Sequence, residues 1–568
     1  MNRRSFLRAT AVAGATTMAR GLAPGAALAA PAAAGQKASG ETTFVVLDNA
    51  NIVETAYGKV RGLQRNGIHI FRGIPYGADT SGENRFMPAR KPEPWAGIRS
   101  ALWFGNTCPT SWSHDGDESQ FLFHNDLGIM GEQCLVANVW TPGINDNKKR
   151  PVMVWMHGGG FDHGSDQELE VYDGGMLASS GDVVVVGFNH RLNAFGFMNL
   201  SEFGPEYAAS GNNSMTDIVF LLEWVRDNIA NFGGDPGNVT IMGQSGGGAK
   251  VSTIMAMPSA RGLFHRASIH SGSMLRAGDL DQSLGMTHAM LNELGVSKDN
   301  LSKLNKLTSQ ELLDAWQAVQ RRNRSAGSPG AMPPRDARST ARSLGWDPYV
   351  DGVVIPKQVW DPTAPEFSAD VPLIVGTVLN EFLNGKDKPD AFSMTDDEMM
   401  KQFADHYGEK ALELAQVFRR GHPEANPFQL LSIISTSSIR TEAVTQARRK
   451  AALRKAPAYN FWFQWQTPIL SGRPMAFHCA DLNFFFNNSE RCAYQTGNGP
   501  EAQRLAMQMS QAWIHFARTG NPNHSGIPEW DPVTANGSET MIFDTVTRFS
   551  PDPDSAERQA VASATIAT

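Results

Sequence analysis

The 568-residue sequence has only four cysteines. That excludes a disulfide-dense scaffold, and with no Cys-x-x-Cys pair and no paired-histidine spacing it gives no reason to expect a metal or a cofactor. It also lacks an excess of positive charge: 50 Lys and Arg stand against 57 Asp and Glu. A chain of that sign repels phosphate backbones, so nucleic acid is not an expected partner. Long apolar runs are missing too. No stretch approaches eighteen uninterrupted apolar residues, and no integral membrane association is expected. With 41% hydrophobic and 19% charged residues, the chain has material for a packed core and no mark of disorder. Its one basic segment, "QRRNRSAGSPGAMPPRDARSTAR" from Gln320, is rich in Gly, Pro and Ser and reads as a solvated loop.

What is present begins with "MNRRSFLRATAVAGATTMARGLAPGAALA". Arg3 and Arg4 precede Phe6 and Leu7, a weakly apolar Ala-rich stretch, and small residues at Ala27–Ala29. That order matches a twin-arginine export signal over 1–29. Its removal takes away four arginines and leaves 46 basic against 57 acidic side chains. The expected organisation is a flexible tail over 30–42, one catalytic domain over 43–555 and a C-terminal tail over 556–568, in a protein exported to the periplasm or secreted. Oxidising surroundings permit three pairings of four cysteines. A Cys108–Cys134 bridge would close a 26-residue loop, worth about 3.5 kcal/mol in the chain-entropy model, and would leave Cys479 with Cys492.

Strand-length apolar runs recur along the chain: "PVMVWM" from Pro151, "DVVVVGF" from Asp182, "NVTIMG" from Asn238, "VPLIVG" from Val371 and "YNFWFQW" from Tyr459. Continuous apolar runs suit strands covered on both faces, as in a parallel sheet flanked by helices. "TDIVFLLEWVRDNIANF" from Thr216 has helical spacing, with Thr216 or Asp217 as a plausible cap. Strand, helix, strand is the α/β pattern.

Within it, "VTIMGQSGGGAK" (Val239–Lys250) sets Ser245 between Gly243 and Gly247, with a strand before and a helix predicted from Ala249 after. A nucleophile elbow sits at such a junction, where larger side chains would strike neighbouring strands. A serine hydroxyl also needs a base and donors for the oxyanion. "WMHGGGFDHGS" from Trp155 follows another strand and offers a glycine triplet whose N–H groups can face the site.

These blocks, with "FRGIPYG" (Phe71), "NRFMPA" (Asn84), "GEQCLVANVWTP" (Gly131), "NHRLNAFGF" (Asn189), "FHRASIHSGS" (Phe264) and "WIHFARTGNPN" (Trp513), resemble the type B carboxylesterase and cholinesterase family of α/β-hydrolases from about Asp48 to Arg548. The resemblance implies an α/β-hydrolase fold: a central, mostly parallel sheet flanked by helices, with large helical insertions. It also implies roles. Ser245 would be the nucleophile, and Gly159, Gly160 and Gly246 would donate the oxyanion N–H groups. Glu381 in "PLIVGTVLNEF" would be the acid, and His478 in "FHCADL" the base. Ser271 in "HSGS" would support the acid from behind, and Cys108 and Cys134 match the family's early disulfide. Cys479 and Cys492 match no family bridge, so Cys479 beside the base is also open to being a free thiol.

The residues agree by themselves. The order Ser, acid, His is that of α/β-hydrolases. Among the five histidines beyond Glu381, only His478 lies in a loop shortly after a strong strand. Asp351 in "YVDGVVIP" is a rival acid, but it precedes a strand where Glu381 follows one. The chain departs from the family's usual glutamate and alanine around the nucleophile with Gln244 and Gly246, and has His190 where tyrosine is common. The expected activity is hydrolysis of a small-molecule carboxylic ester through an acyl-enzyme. The alternatives are a binding or adhesion protein on the same scaffold, or an acyltransferase or amidase using the same triad. Substrate identity and oligomeric state are not legible.

Overall fold

The computed structural model describes residues 44–46, 50–111, 117–325, 345–382, 385 and 387–565. The expected signal (1–29), the tail at 30–42 and the basic segment beyond 325 lie outside them, while the start of that segment, Gln320–Ser325, expected as loop, is the last part of the helix Ser309–Ser325. A twelve-stranded sheet runs through the molecule. In chain order its strands are β1 (Phe44–Val45), β2 (Leu63–Arg65), β3 (Ile68–Pro75), β4 (Val136–Thr141), β5 (Arg150–Met156), β6 (Val184–Phe188), β7 (Gly234–Gln244), β8 (Arg266–His270), β9 (Leu373–Val378), β10 (Ala458–Phe463), β11 (Thr540–Phe543) and β12 (Arg548–Ser550). Their spatial order is β1-β2-β3-β4-β6-β5-β7-β8-β9-β10-β11-β12. From β6 to β11 every pairing is parallel, and the flanks are antiparallel. A small sheet of Ile52–Thr55, Gly58–Arg61 and Ile98–Ser100 stands apart.

The five apolar runs are five of these parallel strands, and β5, β6, β9 and β10 are buried along their whole length. Alternation divides them between two cores. On β5, Val152, Val154 and Met156 join one hydrophobic cluster, while Met153 and Trp155 join the other. Helix α1 (Asn213–Asn228) packs Ile218, Leu221, Leu222 and Val225 into the first. Helix α4 (Pro500–Thr519) packs Leu505, Met509, Trp513 and Phe516 into the second. Between them in sequence come α2 (Gly246–Ile254) and α3 (Ser437–Ala452). Insertions after β8 and β9 supply further helices, including Leu280–Leu294, Ser309–Ser325, Asp396–Tyr407 and Ala411–Gly421.

Three expectations need correction. Helix α1 starts at Asn213, with Asn212 at its N-cap, so neither Thr216 nor Asp217 caps it. Asp217 is fully buried and instead pairs with Arg191 at 2.6 Å, a tertiary ion pair that local pattern cannot show. The C-terminal stretch from 556 is no tail through residue 565. It belongs to helix α5 (Ser555–Thr565), held where Asp554 accepts from Arg440 and Arg558, each at 3.0 Å. All four cysteines are free thiols. Cys108 and Cys134 are both buried without a bridge, and Cys108 Sγ accepts from the Leu192 N–H at 3.2 Å. Cys479 and Cys492 are not paired, because Cys479 faces Gln244 at 3.3 Å while Cys492 is buried beside the Tyr494 hydroxyl at 3.9 Å.

Candidate active site

Strand β7 ends at Gln244 and α2 begins at Gly246, leaving Ser245 alone on the turn with φ 57° and ψ −124°. An L-residue holds that conformation only where its surroundings impose it. Here the Ser245 N–H donates to the His270 carbonyl at the end of β8 (2.8 Å), and the Ser245 carbonyl accepts from Ala249 N–H (3.0 Å). The turn closes against the neighbouring strand so tightly that a side chain on Gly247 would collide with the Met156 carbonyl.

Strand β5 ends at that same Met156, and the chain continues through His157, Gly158, Gly159 and Gly160. Gly159 (φ 80°) and Gly160 (φ 62°) take left-handed conformations. This turns successive backbone N–H groups in a direction that side-chain-bearing residues resist. The loop lies beside the nucleophile: a Cβ built on Gly158 would stand 3.5 Å from Ser245 Cβ, and one on Gly246 would run into the Gly160 backbone. Backbone bonds fix its far side, with His163 N–H donating to Gly159 O (3.1 Å) and Asn193 N–H to Phe161 O (2.8 Å). Lys250 Nζ on α2 donates to the His157 carbonyl at 3.0 Å.

Glu381 follows β9, and its carboxylate Oε2 lies 2.5 Å from His478 Nδ1. The His478 N–H also donates to Glu381 O at 3.0 Å. The carboxylate is 1% exposed and the imidazole 12%. An acid so placed keeps the proton on Nδ1 and leaves the Nε2 lone pair free as a base. Glu381 is steadied by Val378 N–H, which donates to Oε1 (3.3 Å), and its own N–H donates to the Thr436 hydroxyl (3.2 Å). Ser271, expected in that supporting role, does not fill it. Its hydroxyl is buried without a hydrogen bond while its backbone, at φ 47°, donates to Gly376 O. Asp351 is engaged elsewhere, accepting from Asn212, Val353 and Ile355.

The amide nitrogen of Gln244 lies 3.1 Å from His478 Nε2 and 3.4 Å from Nδ1. Near-equal distances to both ring nitrogens put it over the ring face. The Cys479 thiol donates to the other end of that amide, at 3.3 Å from Oε1. Phe382 also packs on the imidazole, with centroids 4.4 Å apart. Among the described residues no hydrogen bond joins Ser245 Oγ to His478, as is common before substrate tightens a catalytic contact. Beneath both, His270 Nδ1 and Asp481 Oδ2 pair at 2.6 Å, fully buried, with Ser268 on the other ring nitrogen at 3.1 Å. That pair ties the strand end that holds Ser245 to the turn that carries His478.

Phe161, next to the glycine triplet, and Phe477, next to His478, are core residues, 5% and 1% exposed. Phe382 is the aromatic left 41% exposed beside the imidazole. Thr436, 55 residues from its partner, has no sequence signal. Lys250 is legible only in hindsight, five residues past the serine on the same helix. No group of three or more metal-binding side chains occurs among the described residues, and no helix there is long and apolar enough to cross a membrane.

Comparison with known proteins gives a consistent result. A model of the Carboxylesterase family matches residues 49–560. The para-nitrobenzyl esterase of Bacillus subtilis is 32% identical over 518 residues, 89% of this chain and 98% of that protein. The human cocaine esterase is 31% identical over 493 residues, covering 82% of this chain and 81% of its own length. Among solved structures, an esterase of Clostridium hathewayi described as hydrolysing aliphatic aromatic polyesters superposes with a TM-score of 0.78. It is 34% identical and covers 92% of this chain and all of its own. A carboxylesterase of Geobacillus stearothermophilus superposes with a TM-score of 0.74 at 32% identity, over 90% of this chain and 99% of its own.

Proposed function

The chain belongs to the carboxylesterase family, an α/β-hydrolase and a serine hydrolase of carboxylic esters, and from that premise we propose that Ser245, His478 and Glu381 are its catalytic triad. Ser245 Oγ attacks the ester carbonyl as His478 Nε2 removes its proton. Glu381 holds the imidazole by Nδ1 and stabilises its charge without taking the proton. The N–H groups of Gly159, Gly160 and Gly246 receive the oxyanion. The alcohol leaves with the proton from His478, and a water deprotonated by the same nitrogen releases the acid from the acyl-enzyme. The observation that carries this reading is the strained Ser245 turn, which sets the serine against the glycine loop. The binding-protein alternative is not favoured.

The substrate we propose is an uncharged ester with an aromatic or other apolar group. Phe382, exposed and packed on the base, offers that group a surface. We further propose export through the segment 1–29, which N-terminal sequencing of protein from the host's medium or periplasm tests by a start at Ala30.

A fluorophosphonate probe tests the nucleophile. A single adduct on Ser245, absent from Ser245→Ala, is expected, together with a loss of turnover on the order of a millionfold in the variant. No adduct on the folded parent, or a loss below tenfold, would overturn the assignment.

A further inference from the structure

Lys250 has no solvent exposure. Among the described residues no carboxylate forms an ion pair with it. Its ammonium donates to the His157 carbonyl at 3.0 Å and lies 5.9 Å from the centre of the Phe161 ring. Both are residues of the glycine loop, one on each side of the triplet. Burying an unpaired cation is unfavourable, and a methionine of similar length would fill the same space without that cost. The surroundings are themselves polar and poorly satisfied. His157 and His190 stack at 5.1 Å, and the Nε2 atom of each is buried without a partner. Burial brings Lys250 down to about 7, with Glu168 the opposing influence, and brings Glu168 up to about 7. Burial, then Lys250, holds both imidazoles well below their usual range, with His163 a smaller contributor at His157. Lys250 thus belongs to a cluster with the buried Glu168, His157 and His190 and the half-buried His163, behind the proposed oxyanion hole.

We infer that Lys250 is a positioning residue for the ester hydrolysis: its Nζ pins the first carbonyl of the glycine loop and, when protonated, sets positive charge behind the N–H groups that receive the oxyanion. Strand β5 delivers the loop to the site, and α2 carries both Ser245's first helical turn and Lys250. The Lys250–His157 bond therefore ties donor loop to nucleophile helix at one point. It acts through groups that meet the substrate oxygen only once that oxygen bears charge. The effect belongs to the transition state rather than to substrate binding.

Lys250→Met and Lys250→Gln test this, with a p-nitrophenyl ester as substrate and a trifluoromethyl ketone as a probe that forms an oxyanion on the serine. Lys250→Met is expected to melt no lower than the parent. Its kcat should fall at least tenfold with KM within twofold, and the ketone should bind at least tenfold more weakly. Lys250→Gln, which keeps a donor but not the charge, should lie between. Variants that fold yet keep kcat and ketone affinity within twofold would overturn the inference, as would a lower kcat with ketone affinity unchanged. If Lys250→Met fails to fold, the role is structural unless Lys250→Gln folds and still loses at least threefold in ketone affinity. The inference rests on the proposed nucleophile and oxyanion donors, and the two fail differently. Without fluorophosphonate labelling of Ser245 in the parent that reading falls; with labelling intact and the variants unaffected, only the lysine's role falls.

Discussion

Gly246→Ala separates what this structure requires from what the family usually carries. Alanine is the family's common residue after the nucleophile, and in the first turn of α2 it would favour the helix by up to about 1 kcal/mol over glycine. The geometry points the other way. A Cβ on Gly246 would stand 2.5 Å from Gly160 Cα and nearer still to the Gly160 nitrogen and oxygen. Carbon atoms in contact are ordinarily about 3.5–4.0 Å apart, so the loop must retreat by about 1 Å. Oxyanion donors act within roughly 2.7–3.1 Å of the charged oxygen, and a displacement of about 1 Å can cost on the order of a hundredfold. That corresponds to about 2.7 kcal/mol of barrier. The expected outcome is a fall of about a hundredfold in kcat/KM for a p-nitrophenyl ester. A matching loss of trifluoromethyl ketone affinity should accompany it, with a melting temperature no higher than the parent's, because forcing a carbon into a closed site typically costs about 1–3 kcal/mol, more than the helix gains. A kcat/KM within threefold of the parent would refute the reasoning, since the collision would then relax without moving the donors.

Gly160→Pro removes one N–H from the same loop and cannot hold the φ of 62° found there, so turnover should fall at least a hundredfold in a folded protein, the lost donor alone typically costing about 3 to 4 kcal/mol; near-normal rates would dismiss that donor. Asp481→Ala leaves the His270 Nδ1 donor without its partner in a fully buried site, so chemical denaturation should show a loss of about 1–3 kcal/mol, and less than about 0.5 kcal/mol would mean the pair is not what holds the two segments. Because burial depresses Lys250 from 10.5 to about 7, its contribution to stability is complete above the unfolded value and is lost as pH falls through about 7. Urea unfolding should show Lys250→Met gaining on the parent between pH 10 and pH 7, and a constant difference across that range would mean the lysine is not depressed.

The fold was legible because the chain writes it in continuous apolar runs: "PVMVWM" and "YNFWFQW" could only be covered on both faces, and they became β5 and β10. The turn at Ser245 was legible for a related reason, since glycines at fixed offsets from a serine between a strand and a helix have a steric cause that sequence spacing records. Groups brought together across long separations left no such trace. Thr436 reaches Glu381 from 55 residues farther along the same β9–β10 connection, and Asp217 reads as a helix cap in sequence because its partner Arg191 lies 26 residues away. The cysteines differ again: sequence leaves Cys479 and Cys492 open to pairing or to free thiols, and each points to a neighbour of its own.

Gln244 shows where sequence and geometry must be combined. As a departure from the family's glutamate it signals only a missing negative charge beside the serine. In the structure its amide lies over the imidazole and is oriented by the thiol of Cys479. A carboxylate there would favour the imidazolium and so raise the pH at which the base becomes neutral. A neutral amide gives no such bias, leaving Glu381 as the carboxylate paired with the ring. Gln244→Glu is therefore expected to shift the acid limb of kcat/KM to higher pH, upward because the added charge stabilises the protonated base. An unshifted limb would mean that the amide does not face the ring in the working enzyme.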